Sequence, residues 1–126
     1  NKIKNKISDI DIVLNVGPEV IAGSTRLKSG TVTKIALNII TTSAMMKANH
    51  TLNGLMIDIK PTTKKLKARS VNNLSQLLNL PDSKCEKLLR NSNWNIRVAI
   101  IMSKMNLKYI EAKRISKKIN IKDLLK

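Results

Sequence analysis

The chain has 126 residues, 42% hydrophobic and only 2% aromatic, with one Trp, one Tyr and no Phe. This allows one compact domain or two very small ones, excludes a disordered chain, and requires a core of Ile, Leu, Val, Met and Ala. The formal net charge of +16 raises nucleic-acid binding as a reading. However, the cations are mostly scattered Lys, and almost no aromatic side chains are present for bases to stack on.

Much of that charge also follows from a composition rich in Lys, Asn and Ile, so compositional drift with solubility stands beside a polyanion-binding surface. The expected partners include no nucleic acid and no membrane. No apolar run approaches the roughly 20 residues needed to cross a bilayer. The opening NKIKNKISDI is basic and leads into no apolar signal region. The single cysteine, Cys85, cannot make an internal disulfide, which fits a reducing, cytoplasmic setting. It lies in a helical pattern, where a packing role is expected.

In chain order, residues 1–8 (NKIKNKIS) read as the tail of a helix and a turn. Residues 10–16 (IDIVLNV) are β-branched and apolar, the pattern of a buried parallel-type strand. A lone strand needs partners for its backbone groups. The expectation is therefore that the chain is a C-terminal piece of something larger, or completes a sheet supplied by another chain. From Ser24 a long helix is predicted, with apolar positions at Leu27, Ile35, Leu37, Ile39, Ile40, Met45 and Met46. Its second half is apolar nearly all round, which predicts a central helix buried on several sides. Asn49 is a left-handed stop.

TLNGLMIDIKP then reads as an extended connector turning at Asn53-Gly54. Pro61 is expected in the first turn of a helix carrying Leu66, Val71, Leu74, Leu77 and Leu78. Three short amphipathic helices follow, and NIKDLLK closes the chain. The first starts after Pro81 with Asp82 or Ser83 as cap, the second carries Trp94 to Met105, and the third carries Leu107 to Ile115. Trp94 is expected to anchor this unit, and Met45 and Met46 to fill core space. The expected fold is mostly α: one N-terminal strand, a long buried helix, then short helices.

The stretch GPEVIAGSTRLKSGT, Gly17 to Thr31, holds three of the chain's 4 glycines. A polar, glycine-bearing turn between a strand and a helix is where α/β folds gather phosphates and sugars. Gly17 and Gly23 permit tight turning and close approach. Ser24 and Thr25 offer hydroxyls, and Arg26 and Lys28 offer cations. Glu19 could accept from sugar hydroxyls or act in acid–base chemistry. The alternative is an ordinary helix start, with Ser24 or Thr25 as N-cap and solvated cations. The spacing is neither a dinucleotide fingerprint nor a Walker loop. His50, the only histidine, reads as a surface-loop residue.

GPEVIAGSTRLKSGTVTKIALNIITTSAMM, followed by NGLMIDIKPTTKKLKARS, closely resembles the C-terminal half of N-acetylmuramic acid 6-phosphate etherases. These are bacterial members of the sugar isomerase (SIS) superfamily, and the glucokinase regulatory proteins of animals are more distant relatives. The resemblance covers residues 9–70 strongly and the remainder weakly. It implies a flavodoxin-like SIS domain whose C-terminal portion and following helix occupy residues 1–79. Residues 80–126 then form a small three-helix, ubiquitin-associated-like module.

The resemblance further implies a cytoplasmic homodimer acting as a carbon–oxygen lyase in cell-wall recycling. Such an enzyme cleaves the D-lactyl ether of N-acetylmuramic acid 6-phosphate, giving N-acetylglucosamine 6-phosphate and D-lactate, with no metal or organic cofactor. Glu19, Ser24, Thr25, Arg26 and Lys28 match the family's GPE and GSTR.K strings and are the implied substrate-binding residues. The family's catalytic glutamates and its phosphate-gripping Ser/Thr loop belong to the N-terminal half. No catalytic residue is therefore expected in this chain, and it is expected to be inactive alone. Ala22 and Ser29 stand where Thr and Ala are common, and Leu52 and Gly54 stand where a Tyr and an Asn are usual. A non-catalytic sugar-phosphate-binding regulatory SIS protein is the alternative function.

Overall fold

The computed structural model describes residues 8–125. Apart from Ser8, the helix end and turn expected over residues 1–8 lie outside them. The elements are α1 (Lys28–Lys47), β1 (Thr51–Leu52), β2 (Leu55–Met56), α2 (Lys64–Leu78), α3 (Asp82–Asn91), α4 (Ile96–Met105), α5 (Tyr109–Ile115) and a 3₁₀ turn (Ile121–Leu124). The chain is thus mostly helical. Packing divides it into two compact units, Asn1–Ser43 and Ala44–Lys126.

The first unit departs from expectation in two ways. Residues 10–16 form no strand, because the one sheet among the described residues is the β1–β2 pair. Without an edge to pair with, the segment is irregular, and Ile12 and Val13 are 60% and 87% exposed. Helix α1 is long, as predicted, but has no buried residue. Ile35, Leu37, Ile39, Ile40, Met45 and Met46 all stand exposed. The apolar surface is present and no described residue covers it. The helix also begins at Lys28 rather than Ser24, for a reason that belongs to the site described below.

The second unit has a complete core. Ile96, Val98, Ala99, Ile100 and Ile101 of α4 are all buried. Leu74 of α2, Cys85 and Leu89 of α3, Ala112 of α5 and Ile121 of the 3₁₀ turn close around them, with Leu52 and Ile57 from the hairpin. Cys85 is therefore a packing residue, as expected, and burial raises its thiol pKa. The hairpin turns at Asn53-Gly54, with φ of +49° and +77°, the signature of a tight two-residue turn. It is antiparallel, Thr51 opposite Met56 and Leu52 opposite Leu55. The buried amide of Asn73 donates to the Met56 carbonyl at 2.9 Å and fastens α2 to the hairpin. Pro61 falls before the N-cap rather than in the first turn, because the Thr63 side chain takes the cap by accepting from the Leu66 N–H.

Four helices stop in one way. Asn49, Asn79, Asn93 and Asn106 all have positive φ. The N–H of the next residue reaches back five positions: His50 to Met45, Leu80 to Ser75, Trp94 to Leu89 and Leu107 to Met102. This is the Schellman closure, in which a left-handed residue lets the chain satisfy otherwise orphaned carbonyls. Asparagine holds the position glycine usually takes, since its short polar side chain tolerates that region.

One polar cluster ties the loop after α1 to the bundle. Asp58, just beyond β2, accepts from His50 Nδ1 at 2.7 Å and from Arg97 Nη2 at 3.0 Å. Arg97 Nη2 also donates to the Asn49 carbonyl at 2.5 Å. Burial alone would raise the Asp58 pKa, but the hydrogen bonds from Arg97 and His50 outweigh it and hold the carboxyl below its ordinary value.

The Asn79→Ala variant should lose about 1 kcal/mol of stability, the penalty of a Cβ-bearing left-handed residue, while Asn79→Gly keeps the wild-type value. Urea unfolding measures both. Because the Asp58 pKa is lowered on folding, its contribution is whole above the ordinary aspartate range, near pH 4, and is lost as pH falls through the folded value. Wild type should therefore show a steeper fall of unfolding free energy below pH 4 than Asp58→Asn, which removes that carboxyl's share of the slope.

Candidate functional site

Glu19 decides the local structure of the GSTR stretch. Its Oε2 accepts from the Lys28 N–H and its Oε1 from the Ser29 N–H, both at 2.9 Å. These are the first two helical amides of α1, which the helix cannot satisfy itself. The Thr31 N–H donates to the Leu27 carbonyl at 3.0 Å and makes the first helical bond. The N-cap role considered for Ser24 or Thr25 thus falls to a carboxylate nine residues upstream of Lys28, and α1 starts where that carboxylate reaches. The Ser29 and Lys28 amides, in that order, hold the Glu19 pKa below its ordinary value. Near neutral pH it is an ionised acceptor rather than a proton donor.

The cap closes residues 19–28 into a loop. Within it the Ser24 N–H donates to the Ile21 carbonyl at 3.1 Å. Gly23 sits at φ +81° with nothing within 4 Å of where a Cβ would lie. The position demands glycine for its backbone angle and leaves the approach open. Ala22, Gly23, Ser24, Thr25 and Arg26 line a concavity of about 440 Å³. Arg26 and Lys28 line a second, of about 660 Å³, together with Val16, Leu27, Thr31 and Val32. Four of the five residues singled out from the sequence therefore surround two hollows that share Arg26. Glu19 lines neither and supports both through the loop it closes. Two hydroxyls and two cations on an open turn suit an anion carrying hydroxyl groups.

His50 is paired through Asp58 with Arg97, an arrangement that sequence reading did not anticipate. The three residues lie far apart in the chain, and the only local hint was a polar Asp58 directly after the buried Ile57. Among the described residues, no group of three or more His, Cys, Asp or Glu could hold a metal ion. No helix among them is long and apolar enough to cross a membrane.

No protein-family model matches the chain. Individual relatives do. The chain is 41% identical over 107 residues to an N-acetylmuramic acid 6-phosphate etherase of Alkaliphilus metalliredigens, covering 85% of this chain and 35% of that protein. It is 43% identical over 115 residues to the protein of that name from Clostridium acetobutylicum, covering 91% and 38%. It is 39% identical over 111 residues to the one from Clostridium botulinum, covering 88% and 37%. The chain spans little more than a third of the length of these curated relatives. Over that third, it is a homologue of the N-acetylmuramic acid 6-phosphate etherases.

Proposed function

We propose that this chain is the C-terminal part of an N-acetylmuramic acid 6-phosphate etherase, a carbon–oxygen lyase that releases D-lactate from the sugar phosphate in cell-wall recycling. The observation that carries the reading is identity of about 40% over 85% or more of the chain to proteins of that name. In this reading residues 1–79 are the C-terminal portion of a flavodoxin-like SIS domain with its following helix, and residues 80–126 are a small three-helix module. The exposed apolar side chains of α1 and residues 10–16 support it, because they are the surface that the rest of such a domain would cover. The working enzyme is a cytoplasmic homodimer that needs no organic cofactor.

Ser24, Thr25 and Lys28 hold the phosphorylated amino sugar, with Arg26 between the two hollows. Glu19 holds the loop in register by capping α1. The acid–base glutamates come from the N-terminal half, so the chain alone releases no lactate.

The test expresses the whole reading frame that encodes this chain and assays D-lactate release from N-acetylmuramic acid 6-phosphate. Release by that product and none by the 126-residue chain is the expected result. Sugar-phosphate binding without any release would move the protein to the regulatory reading. The double change Ser24→Ala and Lys28→Ala should weaken N-acetylglucosamine 6-phosphate binding at least about tenfold, as loss of a charge-assisted contact implies. Undiminished affinity would remove these residues from the site. Glu19→Gln should speed hydrogen exchange at the Lys28 and Ser29 amides, because one cap oxygen becomes an amide nitrogen that cannot accept. Unchanged exchange there would show that the carboxylate does not hold the helix start.

A further inference from the structure

We propose that a cleft in the second unit, apart from the residue 19–28 loop, binds a phosphate group. The cleft holds about 440 Å³ and is lined by Asp58, Asn95, Arg97, Tyr109, Lys113 and Lys117 among others. Three cations face one carboxylate, and that carboxylate is already committed. Asp58 accepts from Arg97 on both oxygens and from His50. The lining therefore carries an excess of two positive charges, the complement of a phosphate dianion.

The donors are placed by the fold rather than scattered. Arg97 is 16% exposed, and its Nε and Nη2 are engaged with Asp58 and the Asn49 carbonyl. This fixes the plane of the guanidinium and leaves Nη1 outside those bonds, a pre-organised donor with little side-chain entropy left to lose. The Asn95 Oδ1 accepts from the Val98 N–H as the N-cap of α4, so its amide NH₂ remains to donate. The same cap sets the positive end of the ten-residue α4 at the cleft. Lys113 lies 5.4 Å from the centre of the Tyr109 ring, which steadies its ammonium by cation–π attraction. Lys113 and Lys117 follow at i and i+4, on one side of α5 and the turn after it.

None of these groups belongs to the GSTR loop, so the inference stands or falls independently of the etherase reading. The ligand class is a free or esterified phosphate, bound as an effector or tether rather than as substrate.

The experiment follows backbone amide shifts of the 126-residue chain at constant chloride, with inorganic phosphate in one arm and glucose 6-phosphate in the other. Saturable shifts centred on Asn95, Arg97 and Lys113 are expected. Tighter binding of the ester would identify esterified phosphate as the source, and equal or tighter binding of inorganic phosphate the free ion. Lys113→Gln with Lys117→Gln should weaken binding at least about fivefold, by loss of two charge-assisted contacts. Lys84→Gln with Lys87→Gln, on the exposed face of α3, should leave it unchanged. Both lysine pairs are exposed, and unaltered urea midpoints verify folding. Shifts that do not saturate in either arm, or equal weakening by the α3 pair, would overturn the proposal by reducing the effect to diffuse charge.

Discussion

Burial of the first half of α4 around its whole circumference is the constraint from which the second unit follows. The first half of a helix in which Ile96, Val98, Ala99, Ile100 and Ile101 are all buried must be surrounded, and the chain returns to it from α2, α3, α5, the 3₁₀ turn and the hairpin. At about 25 cal/mol per Å² of apolar surface removed from water, such a helix organises whatever is joined to it. The connections are therefore short and stop abruptly, and the repeated Asn closure provides those stops. Asn73 and the Asp58 cluster add direction to this burial by fixing how the hairpin and the loop after α1 meet the bundle.

Helix α1 has the same kind of surface and the opposite fate. Its apolar residues spread round the helix, yet none is buried. Hydropathy patterning specifies that a face will be covered, not by what. The expectation of burial is not met, since no described residue covers these side chains. The same holds for residues 10–16. Their β-branched run specifies an extended, two-sided burial, but a strand exists only as a member of a sheet. Both segments thus carry apolar side chains that no described residue covers.

The signals that could be read from sequence were those whose cause is local. Asn53-Gly54 predicts its turn from the backbone preferences of two residues, and Asn49 its stop from one. The role of Glu19 could not be read in that way. Its partners are amides that carry no side-chain signature, nine and ten residues away, and the loop geometry that joins them is set by Gly23. The residues of the GSTR string were legible as chemistry suited to an anion. Their arrangement around two hollows, with Glu19 as support beneath, emerges only when the loop is closed. The cleft of the second unit was still less accessible, since its lining comes from the hairpin exit, the start of α4, and α5 with the turn after it.

Carboxylates are scarce here, 8 against 24 Lys and Arg, and five of them have definite work. Glu19 caps α1, Asp82 sits in the first turn of α3, and Glu111 in the first turn of α5, where its carboxylate accepts from the Lys108 N–H. Negative charge at a helix N-terminus is favoured by the aligned peptide dipoles. Asp58 is taken by Arg97 and His50, and Glu86 by Arg90. Acids committed in this way cannot also neutralise the remaining lysines. Composition sets how many cations the chain carries, but the fold decides which are left uncompensated and where they converge. Lys28 and Arg26 in the first unit, and Lys113 and Lys117 in the second, are exposed and line hollows. Part of the excess charge thus lines two separate hollows, each with hydroxyl or amide donors beside it.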